Sequence, residues 1–142
     1  MAEKKISQLT AKGSNLDTTD LFAIAKSDGS GGYESKYITG AELANVTIDN
    51  KTASYTLVLA DANKLIEINN GSANTLGVPL NSTDAFPIGT QILIAQQGAG
   101  QTTITPVSGV TLRSSGGKLK ISAQYGIATL IKRATDEWYV AG

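Results

Sequence analysis

The chain has 142 residues, a formal net charge of zero and 17% charged residues, and it contains neither histidine nor cysteine. Without those two residue types it has no imidazole base, no thiolate nucleophile and no Cys/His metal site. The balanced charge provides no field that would attract nucleic acid or an anionic membrane. The composition therefore favours a structural or binding protein over an enzyme, and we expect neither a cofactor nor a metal.

The N-terminal sequence MAEKKISQLT has lysines but no apolar segment after them, which is not the pattern of a secretory signal peptide. No apolar run approaches the roughly 20 residues that span a bilayer. We expect a protein that is made in a cytoplasm and does not insert into a membrane.

Residues 1–52 are predicted to form an extended arm, because their apolar side chains are sparse. Within the arm, two short strands, Leu21–Lys26 and Tyr33–Ile38, flank a Ser/Gly-rich loop, which is typical of a β-hairpin. The following Thr39-Gly-Ala-Glu segment has capping-box spacing and predicts one short helix that ends near Asn45.

Residues 53–142 contain denser apolar residues that alternate with a period of two, separated by turns rich in Gly, Asn, Asp and Ser. Many short strands at such intervals predict a sandwich or a barrel. The predicted strands are Tyr55–Ala60, Lys64–Ile68, Thr75–Pro79, Gln91–Gln96, Thr102–Pro106, Val110–Leu112, Lys118–Ser122, Gly126–Arg133 and Glu137–Ala141. We therefore expect a mainly β protein, with the arm followed by an antiparallel β-sandwich or barrel-like domain.

Tyr125 and Trp138 have two interpretations. Large aromatic side chains usually anchor a core, but the same pair would also serve as a platform on which a glycan stacks. Most carboxylates occupy turn-like positions, where Asp is favoured for turn formation. Glycoside cleavage needs two opposed carboxylates. Glu67 lies in a predicted strand, but nothing in the sequence identifies a second acid that faces it.

A small basic group, Arg113, Lys118 and Lys120, surrounds a Ser/Gly turn. A solvated hairpin tip is its simplest interpretation, and contact with phosphate, an anionic glycan or a neighbouring subunit's carboxylates is the alternative. No aromatic residues are interleaved with it, as they would be for stacking on nucleic-acid bases.

Two stretches resemble appendage proteins of tailed bacteriophages. The arm, with KISQLT (5–10), TTDLFAIAK (18–26) and YITGAEL (37–43), is similar to their N-terminal segment. The β region is similar to a module of phage tail and head fibres, and the matching residues are YTLVLADANKLIEIN (55–69), NTLGVPLNSTDAFPIGTQILIAQQGAGQTTI (74–104), GVTLRSSGGKLKISAQYGIATLIKR (109–133) and DEWYVAG (136–142).

This resemblance implies a virion component whose arm fixes it to capsid or tail proteins and whose β domain projects outward as a homotrimer. It carries no catalytic residue. The implied anchoring positions are Ile6, Leu9, Leu21 and Phe22, and the implied core positions are Leu57, Ile92, Ile94, Leu130 and Trp138.

The chain length favours a head fibre or capsid decoration protein over a complete long tail fibre. The alternative is a short tail fibre, an adaptor or an adhesin that contacts a host-surface glycan through Tyr125 and Trp138.

Overall fold

The computed structural model describes residues 21–27, 33–39 and 45–142. The chain divides into two compact units, Met1–Asn45 and Val46–Gly142. In the first unit, β1 (Leu21–Ser27) pairs antiparallel with β2 (Tyr33–Thr39). The predicted hairpin is therefore confirmed, whereas the predicted short helix after Thr39 lies outside the described residues.

The second unit contains nine strands joined by turns and longer loops. They are β3 (Ile48–Lys51), β4 (Tyr55–Thr56), β5 (Leu65–Ile68), β6 (Asn74–Val78), β7 (Gln91–Gln96), β8 (Thr102–Pro106), β9 (Thr111–Ser114), β10 (Ile127–Ala134) and β11 (Glu137–Ala141). Strands β3, β5, β7, β10, β11 and β9 form a six-stranded sheet in that order, and β4, β6 and β8 form a three-stranded sheet.

Consecutive strands from β3 to β8 alternate between the two sheets, so each pair (β3–β4, β5–β6, β7–β8) makes one rung. Equivalent strands of successive rungs are parallel. This is the connectivity of a β-solenoid, in which each repeat contacts only its neighbours. Only β10 runs antiparallel to its neighbours β7 and β11, and β9 returns parallel to β11.

The mainly β character is thus confirmed, but the expectation of an antiparallel domain is wrong for most strand pairs. Side chains from both sheets form a single apolar core. All five core positions implied by the resemblance are buried, and the largest of them, Trp138, meets Phe86 edge to face with ring centroids 5.4 Å apart.

The second unit begins earlier than the predicted boundary at Thr52. Strand β3, which the sequence analysis placed in the arm, pairs with β5 from Ile48↔Leu65 to Lys51↔Ile68. It was missed because only one of its four residues is apolar. Its Asp49 forms ion pairs with Lys51 and Lys64 instead.

Two predicted strands differ from the structure for identifiable reasons. The segment from Tyr55 is a strand only to Thr56, because the buried carboxylate of Asp61 accepts hydrogen bonds from the Tyr55 hydroxyl and the Val58 amide and turns the chain. The segment Lys118–Ser122 makes only an isolated bridge to β8.

The turn after β7 stacks directly on the turn after β5. The Gly98 amide donates to the Ile68 carbonyl (3.0 Å), and the Gly100 amide donates to the Asn70 carbonyl (2.9 Å). A Cβ atom at Gly98 would lie 2.3 Å from Asn70 backbone atoms, and one at Gly100 would lie 2.0 Å from the Ser72 carbonyl oxygen. Only glycine lets these two turns approach so closely.

Candidate functional site

The six-stranded sheet has an apolar outer face. Residues that pair across strands lie on the same side of a sheet, and the outer face is defined here by three such rows of side chains. One row contains Ile48, Leu65, Leu93, Thr129 and Ala141; the next contains Asn50, Glu67, Ala95 and Ile127; the third contains Gln91, Ile131, Tyr139 and Arg113.

Several of these side chains are well exposed although they are large and apolar. Ile48 is 60% exposed and Ile127 is 56% exposed, and Ile131 and Tyr139 are also exposed. Beside Tyr139 and Ile131 lies a groove of about 720 Å³ that is also bounded by Leu112. A contiguous exposed apolar patch of this kind usually marks an interaction site.

Charges lie at opposite ends of the outer face. At one end, Arg113 and Arg133 both contact the Glu137 carboxylate at 2.7 Å. The hydrogen bond from Arg113 lowers the pKa of Glu137, and Glu137 in turn raises the pKa of Arg133. Two guanidinium groups share one carboxylate, so this end keeps an excess positive charge.

At the other end of the face, on β5, the carboxylate of Glu67 forms none of the ion pairs found among the described residues. Glu67 therefore places a carboxylate that is unpaired among the described residues on this part of the outer face, while Lys51 and Lys64 share the Asp49 carboxylate at the same edge of the sheet. The outer face thus has exposed apolar side chains between the two arginines and the Glu67 carboxylate.

Tyr125 lies at a corner next to amide side chains. It is 75% exposed, its φ is 65°, and its amide donates to the Gln96 carbonyl at 2.7 Å. Gln124 donates to the Gln97 carbonyl at 3.0 Å, and Asn50 donates to the Gln97 side chain at 3.0 Å. Positive φ is costly for a bulky residue, so the fold presents this ring to solvent at the expense of backbone strain.

Trp138 does not join Tyr125 at this corner. It is 1% exposed and lies in the core, where the ammonium of Lys132 is 5.6 Å from the centre of its ring. A glycan cannot stack on a ring with no exposed face, so the prediction that Trp138 contacts a glycan is wrong. The structure supports the alternative interpretation of Trp138 as a core anchor.

Lys132 is itself buried, and its ammonium donates a hydrogen bond to the side-chain oxygen of Asn81. The backbone amide of Asn81 donates to the Asp136 carboxylate at 2.7 Å. Burial lowers the pKa of Lys132, and the nearby Asp136 opposes that shift. These contacts hold the loop between β6 and β7 against the core, which is a structural role.

The predicted basic group is divided by the fold. Lys118 and Lys120 line a groove of about 500 Å³ together with Gln101 and Thr103, whereas Arg113 lies with Glu137 on the outer face. Arg113 is thus paired with a carboxylate, whereas Lys118 and Lys120 border a separate groove. Of the predicted anchoring positions, Leu21 and Phe22 lie on β1, and Ile6 and Leu9 lie outside the described residues.

Within residues 45–142 and the two described hairpin strands, no three Asp or Glu side chains are grouped as metal ligands. In the same part of the chain, no helix is long and apolar enough to cross a membrane. Neither finding adds a site to the outer face and the Tyr125 corner.

Comparison with protein-family models found no match, and comparison with curated proteins found no significant similarity. The phage-appendage resemblance therefore stays a prediction.

The sequence analysis missed the outer face as a functional feature. Its signal was present in Leu65-Ile66 and in Ile92-Leu93-Ile94, where apolar residues occupy both faces of a strand. Such runs are typical of strands covered on both sides, and in this unit the outer side is not covered by described residues.

Proposed function

We propose that this protein is a structural virion component of a tailed bacteriophage, a head fibre or capsid decoration protein. In this proposal the first unit attaches the chain to the particle and the second unit projects from it as a homotrimer. The observation that carries the proposal is the exposed apolar outer face on a β unit that is separate from the N-terminal segment. The sequence resemblance of both segments supports it.

A passive projecting part needs stiffness rather than a reaction centre. The stacked rungs supply stiffness, because the inner strands β5 and β7 are each hydrogen-bonded to a neighbouring strand on both sides. We infer that the two sheets pack face to face as a sandwich-like solenoid, with copies completing the burial of the outer face.

The test is the composition of the particle. Particles purified from cells that carry the gene should contain the protein by mass spectrometry, and antibody should label them at capsid sites. The paired change Leu21→Ser and Phe22→Ser on β1 should abolish incorporation, while the isolated variant keeps the melting transition of the second unit. Ile88→Ser, which changes an exposed residue outside the arm, is the matched control and should leave incorporation unchanged. Particles without the protein would contradict the proposal.

A second candidate function, glycan binding by a short tail fibre or adhesin, is favoured by Tyr125. The exposed Tyr125 ring offers a stacking surface, and the adjacent Gln124, whose side chain donates to the Gln97 carbonyl, supplies a hydrogen-bonding group nearby. Glycan-array binding should disappear in Tyr125→Ala and persist in Tyr125→Phe, which keeps the ring. Equal binding by both variants would remove Tyr125 from this role.

A further inference from the structure

We propose that the outer face of the six-stranded sheet is the surface through which this protein binds a second copy of itself. In this contact the Arg113 end of one copy lies against the Glu67 end of the next. The inference rests on the homo-oligomeric part of the proposed function and names the surface and the charges that would produce it.

The first argument is the chemistry of the surface. Its exposed side chains include Ile48 and Ile127, which are both more than half exposed, together with Ile131 and Tyr139. Exposed apolar side chains of this kind gain stability when another apolar surface covers them. The covering partner must itself present an apolar surface, and the same face of another copy is one.

The second argument is charge complementarity. Arg113 and Arg133 share one carboxylate at one end of the face, and Glu67 pairs with no described basic residue at the other. These ends belong to β9 and β5, which are separated by four strand spacings, or about 19 Å. A copy that turns its Arg113 end toward its neighbour's Glu67 pairs both charges.

This orientation defines the kind of assembly. A contact between two different ends of the same face is heterologous, and such contacts close into rings when the rotation allows it. Each face would then cover half of each neighbour's face, with the sheets turned toward a common axis. The groove beside Ile131 and Tyr139 provides a recess for an apolar side chain of the adjacent copy.

The size of the face sets the expected strength. Six strands cover about 24 Å and the three rows cover about 15 Å along them, a footprint of about 360 Å². That is less than the roughly 800 Å² that each partner buries in a standard interface. We therefore expect weak, reversible association of the purified full chain, detectable only at high micromolar concentrations.

The test is sedimentation of the full chain from about 1 to 200 μM. The double variant Ile48→Ser and Ile127→Ser should weaken association at least tenfold, with the melting transition retained. Ile88→Ser is the matched control, because Ile88 is 70% exposed but lies outside the outer face. If the double variant associates like the wild type, the assignment of this face is overturned. The homo-oligomer would then have to form through another surface.

The charge arrangement is tested separately. Glu67→Arg and Arg113→Glu should each weaken association by about fivefold, and the two changes combined should restore it to within about twofold of the original. Absence of rescue would overturn the proposed orientation. A wild-type chain that stays monomeric at every concentration would overturn the whole inference, and the particle-composition test would still decide the proposed function.

Discussion

The stacked turns after β5 and β7 make a quantitative prediction about two glycines. A Cβ atom added at Gly98 lies 2.3 Å from the Asn70 amide nitrogen and carbonyl oxygen, whereas ordinary contact begins at 3.4 Å. The turns must therefore separate by about 1 Å. The obstacle at both glycines is backbone, Asn70 for Gly98 and Ser72 for Gly100, so no side-chain rotation can relieve it.

This separation stretches the hydrogen bonds that Gly98 and Gly100 donate, at 3.0 and 2.9 Å, beyond useful length. Each lost bond costs about 1 kcal/mol, and the parting of the packed rungs adds a similar amount, so Gly98→Ala or Gly100→Ala should reduce the free energy of unfolding by about 2–4 kcal/mol. For a domain of this size, the melting temperature should fall by about 10–25 °C.

The assay is thermal unfolding followed by circular dichroism at one pH and one protein concentration. Gly71→Ala is the matched control, since Gly71 lies in the stacked turn of the preceding rung with no atom within 4 Å of an added Cβ. Its free energy of unfolding should lie within about 1 kcal/mol of the wild-type value. If Gly98→Ala and Gly100→Ala melt like Gly71→Ala, the close stacking of the turns is refuted.

Three further predictions concern stability. Removing residues 1–45 should preserve the cooperative melting of the second unit, whereas removing residues 1–52 also deletes β3 and should lower its melting temperature; equal melting would show that β3 adds nothing. Tyr125→Gly should raise the free energy of unfolding by about 1 kcal/mol in chemical denaturation, because it relieves positive φ at an exposed residue. The control Asn63→Gly should change the free energy of unfolding little, since Asn tolerates φ of 62°. A destabilised Tyr125→Gly would contradict backbone strain at this position. The lowered pKa of Glu137 means that its ion-pair stabilisation is complete above its ordinary pKa of 4.5 and is lost as pH falls through the lower, folded-state value. The melting temperature of wild type relative to Glu137→Gln should therefore decrease below pH 4.5, and a constant difference across acid pH would exclude that contribution.

Much of the strand content could be predicted from local pattern. Gln91–Gln96, Thr102–Pro106 and Glu137–Ala141 have the predicted bounds, because alternating apolar side chains and Gly-rich turns both act over a few residues. Strand pairing, in contrast, could not be predicted from local sequence. Leu65 pairs with Leu93 in a parallel register, and nothing local in either segment encodes a partner in the next rung.

The candidate surfaces were less predictable for the same reason. Leu65 and Leu93 look like interior residues in sequence, and only the absence of a third described layer makes their side of the sheet an outer face. Tyr125 and Trp138 are both aromatic residues in the last third of the chain. Tertiary packing alone places one in solvent and the other at 1% exposure.

The spacing between successive rungs has a consequence for the length of such a protein. Leu65 pairs with Leu93 and Asn74 pairs with Thr102, so both sheets advance by the same number of residues between the second and third rungs. A duplicated segment of that length could be inserted there without disturbing the bonds above or below it. Each insertion would lengthen the stack of rungs by about 4.8 Å, so the length of the unit could change in fixed steps while both ends stay unchanged.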